Sequence, residues 1–174
     1  MFKTLISSAA CILGLLCSSA SAQETPKSVS SHESWYIFAE SEPKECWTVS
    51  LPSSTENTRD GKQVKVRRSA ILLMVFYNPN EKVKGQVAFT GGYKFANERI
   101  ISLDIDGVTY ELFATGEWAW LENDAQDAKI LPAMKRGNTA IITAQSERGT
   151  VTKDTFSLKG FTAAVEDAEK RCAG

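Results

Sequence analysis

The sequence predicts an all-β protein, an antiparallel sandwich or barrel with a helix laid over it, and three observations carry that prediction. Runs rich in β-branched and aromatic residues recur at 35–39, 46–50, 64–77, 86–91, 100–114 and 139–158, separated by clusters of Pro, Gly, Asn and Asp. Asp106-Gly107 lies between two stretches that alternate apolar and polar residues, the pattern of a two-residue hairpin. Near the C-terminus the period changes, and Phe161, Ala164, Val165, Ala168 and Cys172 recur at helical intervals.

From the N-terminus, Lys3 precedes an apolar stretch at 5–16, and Ala20-Ser21-Ala22 supplies the small-x-small pattern read by a signal peptidase. Residues 1–22 are therefore expected to be a signal peptide, cleaved before Gln23. The apolar stretch is too short to span a bilayer core of about 30 Å. Residues 23–33 are polar and Ser-rich, an expected flexible leader; order is expected to begin near Trp35, and one domain to occupy 34–174.

Within that domain, the Asp106-Gly107 turn pairs Ile105 with Val108, Leu103 with Tyr110 and Ile101 with Leu112, all on one face. Ser102, Asp104, Thr109 and Glu111 fall on the other. A second hairpin is expected around Glu147-Arg148-Gly149-Thr150, where Gly149 can take a positive φ. Residues 70–77 are apolar without alternation, so that strand is expected to be covered on both faces. Asp124 is placed to cap a short helix through Ile130, and Pro132 to restart one that ends at Gly137. The amphipathic C-terminal helix is the expected cover.

The chain has 174 residues, 20 Lys plus Arg against 21 Asp plus Glu, and one His, a balance that lacks the basic footprint of nucleic-acid binding. Cleavage after Ala22 removes Lys3 and no acid, leaving a net charge of −2. It also removes Cys11 and Cys17. Cys46 and Cys172 remain, and in an oxidising compartment two such cysteines predict one disulfide. They are not in a Cys-x-x-Cys arrangement, so the bridge is expected to be a staple rather than a redox pair.

No reaction is predicted. His32 falls in the expected leader, which argues against a Ser-His-Asp triad or a multi-histidine zinc site. Ser41-Glu42-Pro43-Lys44 has Ser-x-x-Lys spacing, but Pro43 is incompatible with the helix that motif requires. Asp104-Ile105-Asp106-Gly107 begins like a calcium loop without its remaining ligands, and Gly91-Gly92 lacks the spacing of a phosphate loop. Glu111 and Glu117 are acids whose separation a sequence does not reveal. The chain is therefore expected to be no enzyme, with no cofactor and no metal.

Two stretches point to recognition. In Glu117-Trp118-Ala119-Trp120 an extended backbone places both tryptophans on one side, where they either anchor a partner or fill a core. Lys62, Lys65, Arg67 and Arg68 form a basic run that either contacts an anionic glycan or lipid headgroup or is a solvated strand face. Trp118, Trp120, Glu117, Arg67 and Arg68 are the candidate binding residues.

Several blocks in order resemble the invasion-associated locus B family of exported bacterial proteins. They are Lys44-Glu45-Cys46-Trp47-Thr48-Val49-Ser50, Gly85-Gln86-Val87-Ala88-Phe89-Thr90-Gly91-Gly92-Tyr93, Gly116-Glu117-Trp118-Ala119-Trp120 and Ala133-Met134-Lys135-Arg136-Gly137. Ser146-Glu147-Arg148-Gly149-Thr150, Asp154-Thr155-Phe156-Ser157-Leu158-Lys159-Gly160-Phe161 and Cys172 complete the likeness. It departs at Lys94, where the family pattern has Pro after Tyr93. The resemblance implies an immunoglobulin-like β-sandwich, placed in the periplasm or at the outer surface, and implies no established biochemical activity, catalytic residue or cofactor. The expected function is binding or adhesion through a protein or cell-envelope component; the alternative is a periplasmic structural protein of envelope maintenance without a host partner.

Overall fold

The computed structural model describes residues 27–97 and 100–173; the segment 1–22, with its expected cleavage site, Cys11 and Cys17, lies outside them. Among the described residues twelve strands run β1 (Ser30–His32), β2 (Trp35–Ser41), β3 (Lys44–Ser50), β4 (Ser54–Arg59), β5 (Lys62–Gln63), β6 (Leu72–Asn78), β7 (Val83–Thr90), β8 (Ile101–Ile105), β9 (Val108–Thr115), β10 (Trp118–Trp120), β11 (Thr139–Gln145) and β12 (Val151–Ser157). Helix α1 (Asp124–Arg136) precedes β11, and α2 (Phe161–Ala173) follows β12.

Every strand pair is antiparallel, and the order is β1-β2-β3-β6-β7-β10-β9-β8-β11-β12-β4-β5. The two layers of the sandwich are one ladder folded over at β9, whose residues 108–112 pair with β8 and 113–115 with β10. The fold closes on a single core in which Phe89 of one layer meets Phe156 of the other edge-to-face at 6.2 Å.

The Asp106-Gly107 hairpin has the predicted register, and both turn residues take positive φ, 48° and 94°. Ile101, Leu103, Ile105 and Leu112 are buried as the alternation requires; Val108, at the tip, is exposed. The second predicted hairpin joins β11 to β12 with Gly149 at φ 79°.

The C-terminal helix buries Phe161, Ala164, Val165, Ala168 and Cys172, the five predicted positions. It packs mainly on β2 and β3 and reaches β1, β6 and β7 of the same layer, with Phe161 edge-on to Trp35 at 4.8 Å. The Sγ atoms of Cys46 and Cys172 are bonded, with Cα atoms 5.8 Å apart across 126 residues of sequence. The staple thus ties the third strand to the last helix.

Four expectations are corrected. The expected leader ends earlier than 33, because Ser30–His32 pair with β2. The expected strand at 64–77 begins only at Leu72; residues 64–71 cross the end of the sandwich outside the ladder. The stretch 124–136 is one helix, capped by the Asn123 side chain rather than by Asp124, and Pro132 lies inside it. Its missing N–H leaves unbonded only the carbonyl of Ala128, an exposed residue that water reaches. Finally, β6 is covered by protein on one face: Leu73, Val75 and Tyr77 are buried, and Leu72, Met74 and Phe76 stay half-exposed.

Helix α1 completes the core where β10 stops. The last β10–β7 pair is Trp120 with Ala88, so the N–H of Val87 has no strand partner on that side. Asp127 supplies one, its carboxylate accepting that N–H at 2.8 Å. Burial raises the Asp127 pKa to about 6, with Asp124 raising it further and the Val87 hydrogen bond opposing.

Candidate functional site

The outward side of the first layer is apolar across six strands. Cross-strand registers line up Tyr36, Val49, Met74, Ala88, Trp120 and Phe113 in one row, from β2 to β9. A second row sets Phe38 against Trp47, stacked at 5.4 Å, and Trp47 beside Phe76 at 6.4 Å. Trp118 stacks on Trp120 at 6.4 Å, both half-buried, while Ala119 between them points into the core. Tyr36 and Phe113 are 42% and 46% exposed. An antiparallel sheet with one solvated face ordinarily alternates apolar and polar residues. Here two neighbouring rows of the outward face are largely aromatic, with Glu40, Glu45 and Gln86 beside them, and both helices pack on the inward side.

A second feature lies at the end of the sandwich, where β10 begins. A cleft of about 780 Å³ is walled by residues 65–68, by residues 92–94 and by the β11–β12 turn. Arg59, Lys65, Arg67, Lys94 and Arg148 bring positive charge to it, and Glu117 and Glu147 bring two carboxylates. Its walls are tied together: Ser69 N–H donates to the Gly92 carbonyl, and Glu147 N–H to that of Lys94, each at 3.0 Å. Arg59 donates to the Thr150 hydroxyl at 2.7 Å. Gly92 sits at φ +72° with the Ser69 backbone 2.7 Å from where a Cβ would stand, so only glycine fits that wall.

Arg68 anchors the cleft from beneath. Its guanidinium grips Asp154 through both terminal nitrogens, donates to the Gly91 carbonyl through Nε at 2.8 Å and lies over the Tyr93 ring at 5.1 Å. Side chains in this pair are 6% and 0% exposed. The Tyr93 hydroxyl bonds to that of Thr152 at 2.6 Å. Burial raises the Tyr93 pKa, against the lowering effects of Thr152 and Arg68.

The five candidate residues divide between these features. Trp118 and Trp120 stand on the outward face, Glu117 and Arg67 are exposed at the cleft, and Arg68 lines it while committed to Asp154. Lys94, Arg148, Tyr36 and Phe113 escaped the sequence reading because strand pairing brings them together from distant segments. Alternation without a polar partner, as in Trp35-Tyr36-Ile37-Phe38, was the available signal for the face.

His32 is drawn to Asp167 of α2, Nε2 to Oδ2 at 3.6 Å, and the Ser30 hydroxyl donates to the same oxygen at 2.5 Å. The serine donates to the carboxylate and not to the imidazole, so this is a clamp of β1 on α2 rather than a nucleophile and its base. Hydrogen bonds from Ser30 and then from Arg171 and His32 hold the Asp167 pKa below the usual carboxylate value. The two acids of the calcium-like stretch also have local partners. Asp104 accepts from Gly107 N–H, and Asp106 from the N–H groups of Asn138 and Thr139. Among the described residues no three His, Cys, Asp or Glu side chains gather as metal ligands, and no helix is long and apolar enough to cross a membrane.

An antiparallel sandwich whose C-terminal helix is stapled to its third strand defines a class of disulfide-bonded all-β proteins suited to an extracytoplasmic setting. The chain matches the family described as Invasion associated locus B (IalB) protein over residues 35–169, and it belongs to that family. Among solved structures it is similar to the crystal structure of invasion associated protein b from Bartonella henselae. That match has a TM-score of 0.52 and 15% identity, over 80% of this chain and 94% of that one. At this identity the likeness is one of fold. No curated protein matches the chain.

Proposed function

We propose that the chain is an exported, non-catalytic binding protein that engages a protein or cell-envelope partner through the face carrying Trp118 and Trp120, from the periplasm or the outer surface. One observation carries this reading: the apolar row from Tyr36 to Phe113 runs across six strands on the side away from the core, and Tyr36, Met74, Trp120 and Phe113 stay half-buried or exposed while Val49 and Ala88 between them are buried. Large aromatic side chains supply much contact area at low entropic cost, and Trp and Tyr are enriched among the residues that dominate binding energy. Export is supported by the signal-like pattern at 1–22 and by the disulfide.

Crosslinking capture from intact cells, with the processed chain and its Trp118→Ala/Trp120→Ala variant as baits, tests the reading. The processed chain is expected to enrich a discrete partner and the double variant to lose it while still melting cooperatively. Equal capture by both, or collapse of the variant's fold, would assign the tryptophans to the structure alone.

A further inference from the structure

We propose that the cleft between residues 65–68, residues 92–94 and the β11–β12 turn binds an anionic oligosaccharide, a sugar chain bearing phosphate or sulfate groups. The charge distribution is the first ground. The whole chain has a net charge of −1, yet this one concavity gathers Arg59, Lys65, Arg67, Lys94 and Arg148 against two carboxylates, after Arg68 has been neutralised by Asp154. Among the described residues Lys65, Arg67, Lys94 and Arg148 have no salt-bridge partner. Unpaired cations in a concave site concentrate field and attract anions.

The second ground is that the cleft is built. Its three walls are joined by the Ser69–Gly92 and Glu147–Lys94 hydrogen bonds, and Arg59 is oriented by Thr150. Beneath them Arg68 gives four of its five N–H donors to Gly91, Asn57 and Asp154, which fixes the floor of the cleft. Holding donors in place before the ligand arrives lowers the cost of binding.

The lining also selects the kind of anion. Arginine forks match phosphate and sulfate oxygens, while the carboxylates of Glu117 and Glu147 suit the hydroxyl or amino groups of a sugar. Two carboxylates would repel a bare polyphosphate. Single-stranded nucleic acid calls for a charged track with stacking platforms, whereas the one aromatic in the cleft, Tyr93, already carries Arg68 on its ring. The volume of about 780 Å³ lies in the range of small-ligand pockets.

The test is calorimetric titration of the processed chain with a short heparin oligosaccharide, a phosphorylated glucosamine disaccharide, a neutral dextran oligosaccharide and inorganic phosphate. At least one charged sugar is expected to bind, more weakly as salt rises, and dextran is expected not to. Arg67→Gln/Lys94→Gln/Arg148→Gln is expected to weaken that binding at least tenfold with an unchanged melting temperature. The charge-matched Lys84→Gln/Lys129→Gln/Lys170→Gln is expected to leave it within about twofold. Preference for the sulfated probe identifies a sulfated surface glycan as the source, and preference for the phosphorylated one an envelope glycolipid headgroup. Failure of both sugars to bind, unaltered binding in the cleft variant, equal loss in the control, or inorganic phosphate binding as tightly as either sugar would each overturn the proposal. Trp118→Ala/Trp120→Ala is expected to keep the sugar affinity, so the two sites stand or fall separately.

Discussion

The two sides of the first layer are made of the same kinds of residue and have opposite surroundings. Inward, Trp35, Ile37, Leu73, Val75, Phe89 and Ala119 are fully buried against the second layer and α2. Outward, Tyr36, Met74, Phe76, Trp118, Trp120 and Phe113 remain half-buried or exposed. Composition alone therefore does not mark the core; what marks it is whether another element lies opposite. Apolar surface that folding leaves uncovered is surface available for a partner.

The same contrast separates neighbours at the cleft, and substitutions there should sharpen it. Arg68→Met strands the Asp154 carboxylate where no water reaches it, with an expected loss of about 4 kcal/mol in denaturant unfolding. Adding Asp154→Leu is expected to recover most of that loss, because the cost comes from the unpaired charge. If Arg68→Met proved harmless, the pair would not belong with the inside of the molecule.

Next in size is the staple on the inward side. Cys46→Ser/Cys172→Ser is expected to lower unfolding free energy by about 3 kcal/mol, since a long loop is no longer closed in the unfolded chain. Asp127 follows. Its pKa is about 6 folded against 3.8 as the ordinary value, so its contribution to stability is fully present below pH 3.8 and is lost as pH rises through 6. Asp127→Asn keeps the acceptor for Val87 and does not ionise. It is expected to exceed the parent by on the order of 2 kcal/mol well above pH 6, with the gain shrinking on acidification, as melting temperature against pH will show. The smallest effect is Arg67→Gln, expected within about 0.5 kcal/mol of the parent, although Arg67 adjoins Arg68 in sequence.

Much of the fold was legible where local chemistry and pattern agreed. The Asp106-Gly107 turn with its alternating arms fixed a register that needed no knowledge of the rest of the chain, and helical spacing from Phe161 to Cys172 identified the buried stripe of α2. The strands β4 and β5, at one end of the ladder, escaped because they are polar and carry no apolar run. Their turn, Asp60-Gly61, nonetheless carries the same signal, with φ of 50° and 73°. The site was only partly legible. Sequence placed Trp118 and Trp120 on one side without showing which side the second layer covers. It grouped Arg67 with Arg68, whereas the crossing of residues 64–71 over the sandwich end buries one and exposes the other.

Equilibrium urea unfolding of Trp35→Ala beside Trp118→Ala/Trp120→Ala asks most directly whether the outward face is free of the fold. Trp35→Ala empties a fully buried site and should cost about 4 kcal/mol, while each outward tryptophan should cost about 1 kcal/mol, the scale of a cross-strand pair. A double variant as unstable as Trp35→Ala would mean that the outward aromatics belong to the core, and the binding face would not exist.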